Sequence, residues 1–413
     1  MTRSSIGASG RVENDVPAFP MPRAKGCPLD PPPGLRGLQA EAPLVRIRLW
    51  DGSTPWLVTR HDVQRALLAD ERIGSDSLLP GYPHVSESFQ ARAADLQTFI
   101  TMDDPEHARQ RRMLSPSFTL RRIEQLRPTV QGIVDDLVDG LLAGPKPADL
   151  VSAFALPVPS LVICHVLGVP YEDHEFFQRT SRLLIARETA AETALAAQME
   201  LVGYLDQLIG RKLAEPADDL LSQLAVEQLQ TGQMSRQQLA MMSLLLLVGG
   251  HETSADMIAL GTLALLTNPD QLAVLRHTDD PTVIARATEE LLRYLSVAHG
   301  GRRRVALEDI EIAGEVIRAG EGLVLPSEIG DRDERVYPRP DVLDLHRDAR
   351  QHLAFGFGIH QCLGQPLVRV ELQAVYGTLY RRIPTLALAV EPSELEFKEE
   401  GFVYGVHELP VTW

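Results

Sequence analysis

Of the three cysteines in this chain, Cys362 has the most constrained surroundings. It lies in LAFGFGIHQCLGQ (353–365), among Phe355, Gly356, Phe357, Gly358 and Gly364, with His360 two residues before it. A structural zinc site or an iron–sulfur cluster needs several ligands, and no C-x-x-C spacing occurs in the chain. Covalent c-type haem needs C-x-x-C-H, which is also absent. Three readings stay open: a catalytic nucleophile with His360 as base, the single thiolate ligand of a haem iron, or a buried structural cysteine. The next residues, LGQPLVRVELQAVYGTLYRR, carry the pattern of an amphipathic helix, with Pro366 tolerable in its first turn. A sulfur at a helix N-terminus is stabilised as a thiolate by the dipole and by free N–H groups, which also tune any metal bound to it. Gly356 and Gly358 would let a bulky flat object approach without Cβ clashes, and Gly364 would let the backbone turn close to the sulfur. His360 could donate to an anionic group at the edge of such an object.

A second chemical cluster, GGHETS (249–254), interrupts the apolar stretch that begins at Ser235. Ser235 and Gln238 form a capping box, S-x-x-Q, and Asn268-Pro269 ends the pattern. Some thirty helical residues would reach roughly 45 Å, enough to cross the molecule. Two glycines inside a helix cost roughly 1 kcal/mol each relative to alanine. Glu252 and Thr253 place polar groups where burial is expensive. Such local violations suggest a functional groove. A zinc-protease H-E-x-x-H is excluded, because position 255 is Ala. The bland alternative for Thr253 is a hydroxyl bonded back to the carbonyl four residues earlier.

Glu290 and Arg293, at i,i+3 in ATEELLRYLS, read in isolation as a surface pair. His107 and Arg111 share one helix face at i,i+4. GRRRVALEDIEIAG supplies Arg302, Arg303 and Arg304. Residues 107–122 hold five arginines and no acid, which reads either as a solvated helix face or as a docking patch for an acidic protein.

F355-G-F-G-I-H360-Q-C362-L-G364 resembles the haem-binding signature of the cytochromes P-450, F-x-x-G-x-H-x-C-x-G, in its soluble bacterial form. The resemblance spans roughly residues 45–413, with the landmarks in the family's order. It implies a mainly α fold with a minor β portion and a long central helix across the haem. Cys362 would be the axial thiolate ligand of haem b, with Phe355, Gly356, His360 and Gly364 around it. GGHET matches the family's (A/G)-G-x-(D/E)-T motif. Gly249 and Gly250 would let the haem face lie against the helix, Thr253 would hydrogen-bond the dioxygen or its water, and Glu252 would gate protons. Glu290, Arg293 and Arg347 match a buried structural network. His107, Arg111 and Arg304 match clamps on the haem propionates, and together with His360 they would neutralise them. SEIGDRD (327–333) departs from the family, which more often carries an Ala-Asn-Arg-Asp run.

The activity so implied is monooxygenation of an unactivated C–H or C=C in a hydrophobic small molecule. The C-terminal VYGVHELPVTW and the cysteine loop are most similar to actinobacterial enzymes of secondary metabolism, which favours a polyketide or macrolide in antibiotic biosynthesis. Terpenoid or xenobiotic oxidation is the runner-up, and a haem sensor or a Cys362/His360 hydrolase are further alternatives. Electrons would come from NAD(P)H through a ferredoxin reductase and a ferredoxin docking near Arg109, Arg112 and Arg122.

These residues need elements to hold them. The chain has 413 residues, 44% hydrophobic and 23% charged, enough for a sizeable core. A net charge of −16 argues against nucleic acid as a partner. Three scattered cysteines imply no disulfide framework, and the N-terminus has no apolar signal core, so a soluble, cytoplasmic monomer is expected. Residues 1–35, rich in Pro and Gly, read as an irregular arm, and 36–413 as one domain. Within it β-rich parts are expected at about 44–59, 303–326 and 391–413, a long loop at 74–101, and helices over most of 105–300. The substrate pocket is expected from 74–101, 171–205, 295–300 and the turn near Phe402 and Val403.

Overall fold

The structure is a computed structural model that describes residues 16–186, 189–399 and 401–413. Its axis is the helix Arg236–Leu266, whose 31 residues extend about 46 Å. Ser235 Oγ accepts from the Gln238 amide and Gln238 Oε1 accepts from the Ser235 amide, closing the expected capping box. From Met257 to Leu265 the helix is buried all round, as its almost wholly apolar sequence requires. It packs on helices Pro157–Leu167, Ala191–Ala214 and Gln365–Arg382. Tyr376 and Tyr380 of the last helix donate to Met257 O (2.8 Å) and Thr262 Oγ1 (3.0 Å). Gly261 makes this approach possible, since a Cβ there would sit 2.1 Å from the Tyr376 hydroxyl. Helix Gln365–Arg382 lies in turn against helix Leu120–Ala143.

A five-stranded sheet flanks the helices in the order Leu44–Arg46, Trp56–Val58, Gly322–Leu325, Arg302–Ala306, Ile73–Gly74. Strand Arg302–Ala306 runs antiparallel to Gly322–Leu325, with Arg304 opposite Leu323. Side chains alternate across a strand, so Arg302 and Arg304 share a face and Arg303 takes the other. Strands Ala148–Asp149, Pro410–Thr412 and Ala387–Leu388 form a small second sheet, and Ile310–Ile312 pairs with Glu315–Ile317.

Three local expectations change. The irregular arm ends at Pro32, because the fixed φ of Pro33 starts helix Pro33–Glu41; residues 1–15 of the arm lie outside the described residues. The 74–101 stretch contains helix Glu87–Ala91, capped by Ser86, and a short 3-10 turn Phe99–Thr101. Within 391–413 the only ladder strand among the described residues is Pro410–Thr412; the remainder pairs through isolated bridges such as Phe397 with Val406.

Candidate active site

Cys362 stands just before helix Gln365–Arg382, whose N-cap is Gly364 and whose first turn holds Pro366. Its amide donates to Phe355 O (2.8 Å), folding the loop back on itself. Burial pushes the Cys362 thiol up. The Gly364 and Gln365 amides at the helix N-terminus oppose that shift, as do the charges of Arg302 and Arg111. The sulfur remains accessible, and so does Gly249 in the middle of the central helix. Accessible atoms on two core elements mark a cleft between them.

The glycines divide by role. Gly356 (φ +72°) and Gly358 (φ +75°) adopt the left-handed conformation, and Cβ atoms there would meet Arg302 at 2.8 Å and the Leu68 carbonyl oxygen at 2.0 Å. Their contacts are therefore with the protein's own sheet and helix rather than with a flat object. Gly364 has an ordinary φ of −78°, so its conformation does not require glycine. On the long helix a Cβ at Gly249 would meet nothing within 4 Å, whereas one at Gly250 would come within 2.9 Å of Ile163. Gly249 faces the cleft and Gly250 packs against helix Pro157–Leu167.

Thr253 Oγ1 donates to Gly249 O at 3.0 Å, the back-bond of the bland alternative, and keeps its acceptor lone pairs for another donor. Glu252 is buried, with His251 Nε2 at 3.5 Å and Lys398 Nζ at 3.9 Å. Burial works against its ionised form, but His251, Lys398 and Arg182 outweigh burial and hold its pKa below the usual value.

Beside the cysteine loop is a group of nitrogen donors. The rings of His107 and His360 lie 4.1 Å apart. His107 Nδ1 is bonded to Asp104 (2.9 Å); its Nε2 and both ring nitrogens of His360 are buried without partners among the described residues. Burial pushes His360 down to about 3, reinforced by Arg304, His107 and Arg111. Both ring nitrogens of His360 are therefore placed to donate N–H bonds to an anionic group. His360 makes no hydrogen bond to Cys362 among the described residues, which leaves the hydrolase dyad without its base. Arg111 donates to Gln361 O (2.6 Å), Arg302 to Ala354 O (2.9 Å) and Arg304 to Arg303 O (2.7 Å). None of the three has an ion pair among the described residues, and burial lowers the pKa of each, Arg302 to about 10. Buried cations and orphaned N–H groups of this kind fit the carboxylates of a flat dianionic group lying over the sulfur.

The loop is anchored by two ion-pair networks. Glu290 and Arg293 are fully buried and bidentate (2.7 and 2.9 Å), and Arg347 Nε donates to Glu290 at 3.1 Å. Arg293 Nη1 also donates to Asp331 O (2.9 Å), and the Asp331 carboxylate accepts the Leu353 amide at the start of the loop (2.7 Å). The second anchor was missed from sequence. Glu289 takes two bonds from Arg369 (2.6 and 3.0 Å) and one from His352 (3.1 Å), and Arg369 lies 4.7 Å from the Phe355 ring. Only the adjacency of Glu289 to Glu290 could have hinted at it.

The departure at 327–333 also finds reasons in packing. A Cβ at Gly330 would come within 3.0 Å of the buried Gln64 amide, and Glu328 pairs with Arg23 of the arm at 3.0 Å. The four expected pocket segments do meet. Phe89 faces Phe402 at 6.3 Å, Tyr404 N donates to Val297 O (2.8 Å), and Ala186 bridges Gly401. Arg92 and Gln198 tie 74–101 to the two helices of 171–205; residues 187 and 188 of that segment lie outside the described residues. Among the five clustered arginines, Arg111 turns inward, Arg109 is neutralised by Glu106, and Arg122 lies 3.7 Å from Asp218. Arg112 is exposed and has no ion pair among the described residues.

Comparison with known proteins agrees with this geometry. The cytochrome P450 family model matches residues 173–403. The chain is 55% identical to cytochrome P450 GfsF of Streptomyces halstedii over the full length of both. The GfsF crystal structure superposes with a TM-score of 0.91, covering 96% of this chain and all of that one. MycCI of Micromonospora griseorubida, a mycinamicin VIII C21 methyl hydroxylase solved with mycinamicin VIII, superposes with a TM-score of 0.90 at 40% identity, over 96% of this chain and 100% of that one. The 20-oxo-5-O-mycaminosyltylactone 23-monooxygenase of Streptomyces fradiae is 43% identical over 95% of this chain and 92% of its own. A cysteine held at a helix N-terminus, an acid and an alcohol on the helix across the cleft, and full-length likeness to these enzymes lead to one assignment: the chain belongs to the cytochrome P450 family and is a haem-thiolate monooxygenase.

Proposed function

We propose that Cys362 is the ligand of this enzyme's haem and that the enzyme hydroxylates or epoxidises a macrolide or related polyketide during antibiotic biosynthesis. The observation that carries the ligand assignment is the position of Cys362, exposed and just before the N-terminus of helix Gln365–Arg382, with the Gly364 and Gln365 amides favouring its thiolate. When bound, the haem supplies the centre that puts one atom of O2 into the substrate and reduces the other to water. The chain's residues do the rest. Gly364 and Gln365 hold the thiolate. His107, Arg111, Arg304 and His360 hold the propionates, with Arg302, on the same strand face, as an addition to the expected set. Thr253, fixed by its bond to Gly249 O, presents lone pairs to a donor in the cleft, and Glu252 moves protons towards it. The Glu290–Arg293–Arg347 network keeps the loop rigid.

Substrate class is supported by the names of MycCI and the Streptomyces fradiae enzyme, and by a pocket drawn from four segments with Phe89 and Phe402 facing each other. Electrons are proposed to arrive from a ferredoxin and its reductase, with Arg112 at the centre of the docking face and Arg109 and Arg122 at its rim. No single helix among the described residues is long and apolar enough to cross a membrane. The test is optical. Reduced wild-type protein under carbon monoxide should show the red-shifted band of thiolate ligation, and Cys362→Ala should lose it; an unchanged band in the variant would refute the assignment. Titration of the ferric enzyme with macrolide lactones against terpenoids should give spectral shifts for the former, and shifts with terpenoids alone would overturn the substrate class.

A further inference from the structure

The central helix carries another acid that the expected motif does not include. Asp256, one turn beyond Glu252, is 1% exposed; its Oδ2 has no partner among the described residues, and its Oδ1 accepts from Lys398 Nζ at 2.9 Å. The same ammonium lies 3.9 Å from Glu252 Oε2 and so bridges the two carboxylates. Lys398 belongs to the C-terminal hairpin, where its amide donates to Gly405 O (2.9 Å). Gly405 closes over Asp256 so tightly that a Cβ would sit 1.9 Å from Oδ1. Both acids line a cavity of about 400 Å³ that also touches Arg182, Asp149 and Ser152. Ser152, His407 and Glu408 on its wall are exposed, so the cavity reaches the surface.

We infer that this cavity is the inlet for protons to Glu252, with Asp256 as the holding station and Lys398 as the residue that positions both carboxylates. The inference rests on the role proposed above for Glu252. The groups facing Asp256 are Glu252 and His251 from its own helix, Arg182 from helix His174–Ile185, Asp149 from the small sheet, and Lys398, His407 and Glu408 from the C-terminal segment. Glu252 is held ionised, so any proton it passes on must first be supplied to it. Burial pushes Asp256 up to about 7, against the opposing charge of Lys398. A carboxyl near that value takes up and releases protons at working pH. For each proton that Glu252 gives up, one moves from Asp256 through water admitted by the cavity, and Asp256 regains one from solvent at the mouth. No electrons move and Lys398 keeps its charge.

Two measurements on the full-length, haem-loaded enzyme test this. Infrared difference spectra across pH 5–9 should show a carboxyl band titrating near neutrality that Asp256→Asn lacks. Lys398→Met should raise its midpoint by about one unit, since an opposite charge at this distance is worth that much, and Lys398→Arg should restore it. With a surrogate ferredoxin and a substrate found by the ferric-enzyme titration, Asp256→Asn should lower the fraction of NADPH coupled to product by about ten-fold, less than the loss of a residue that itself performs the acid–base step, and Asp256→Glu should recover most of it. Absence of a titrating band that depends on Asp256, or an unmoved midpoint in Lys398→Met, overturns the inference, and the lysine variants decide it should Asp256→Asn not fold. Impaired coupling in Glu252→Gln with normal coupling in Asp256→Asn sinks only the inlet; normal coupling in both sinks the role of Glu252 as well.

Discussion

Glu371 shows how much one buried group can reveal. It sits in helix Gln365–Arg382, 1% exposed, with neither carboxyl oxygen hydrogen-bonded among the described residues. Burial pushes it up to about 8, with Ser254 of the central helix offsetting only part of the shift. The folded chain keeps this proton at neutrality while the unfolded chain releases it above its ordinary value of 4.5. Stability from this group is therefore fully present below pH 4.5 and is lost as pH rises towards 8. Glu371→Gln, which mimics the protonated form, should match wild type near pH 5 and exceed it by on the order of 2–4 kcal/mol at pH 8. Thermal unfolding at the two pH values checks this, and an equal difference at both would refute it. Gly358 gives a second residue-scale prediction. With φ +75° and the Leu68 carbonyl where a Cβ would go, Gly358→Ala should cost about 1–3 kcal/mol and lower the haem content of purified protein. Full haem loading with unchanged stability would contradict that.

At the scale of elements, the cysteine loop is held by its neighbours as well as by its own hydrogen bonds. Glu290 and Arg293 are both fully buried, so removing one strands the other's charge. Glu290→Ala should cost about 3–5 kcal/mol and yield protein that is insoluble or poor in haem. Glu289→Gln should be milder, because Arg369 keeps its bond to Gln365 and is partly exposed. Comparing the denaturation midpoints and haem occupancy of the two variants checks the ranking. Much at this scale was legible beforehand. The S-x-x-Q box and the proline in the first turn after Cys362 both follow from short-range geometry. The helix at 87–91 escaped notice because five residues carry too little periodicity to separate from a loop.

Across the whole molecule, a chain with net charge −16 sets most of its clustered arginines beside acids. Arg109 is compensated by Glu106, one residue beyond the window in which five arginines were counted, and Arg122 has Asp218 nearby. Arg112 is left as the uncompensated charge of the expected docking set. Arg112→Glu should raise the KM for an acidic ferredoxin about ten-fold at low ionic strength and lose most of that difference in high salt, as screened steering requires. The carbon monoxide spectrum of the variant should match wild type. A salt-independent defect would point to misfolding and not to docking. The arm and the C-terminal hairpin are likewise joined at this scale. Arg23 pairs with Glu328 and lies 4.0 Å from the Tyr404 ring, next to the Phe402 turn of the pocket.

The amino-acid sequence by itself determined what depends on neighbours three or four residues apart. That covers the helix start beneath Cys362, the acid and alcohol on one long helix, the paired residues of E-x-x-R, and through their order the family. Only the tertiary structure decided which glycine faces the cleft, which arginine turns inward, and that Glu289 holds Arg369 80 residues away. Lys398 meets Asp256 across 142 residues, and Arg23 meets Glu328 across 305. The physical reason is that a charge or a missing Cβ has no fixed meaning along the chain. Its partner, and whether water or protein surrounds it, is set when distant segments pack together and exclude solvent.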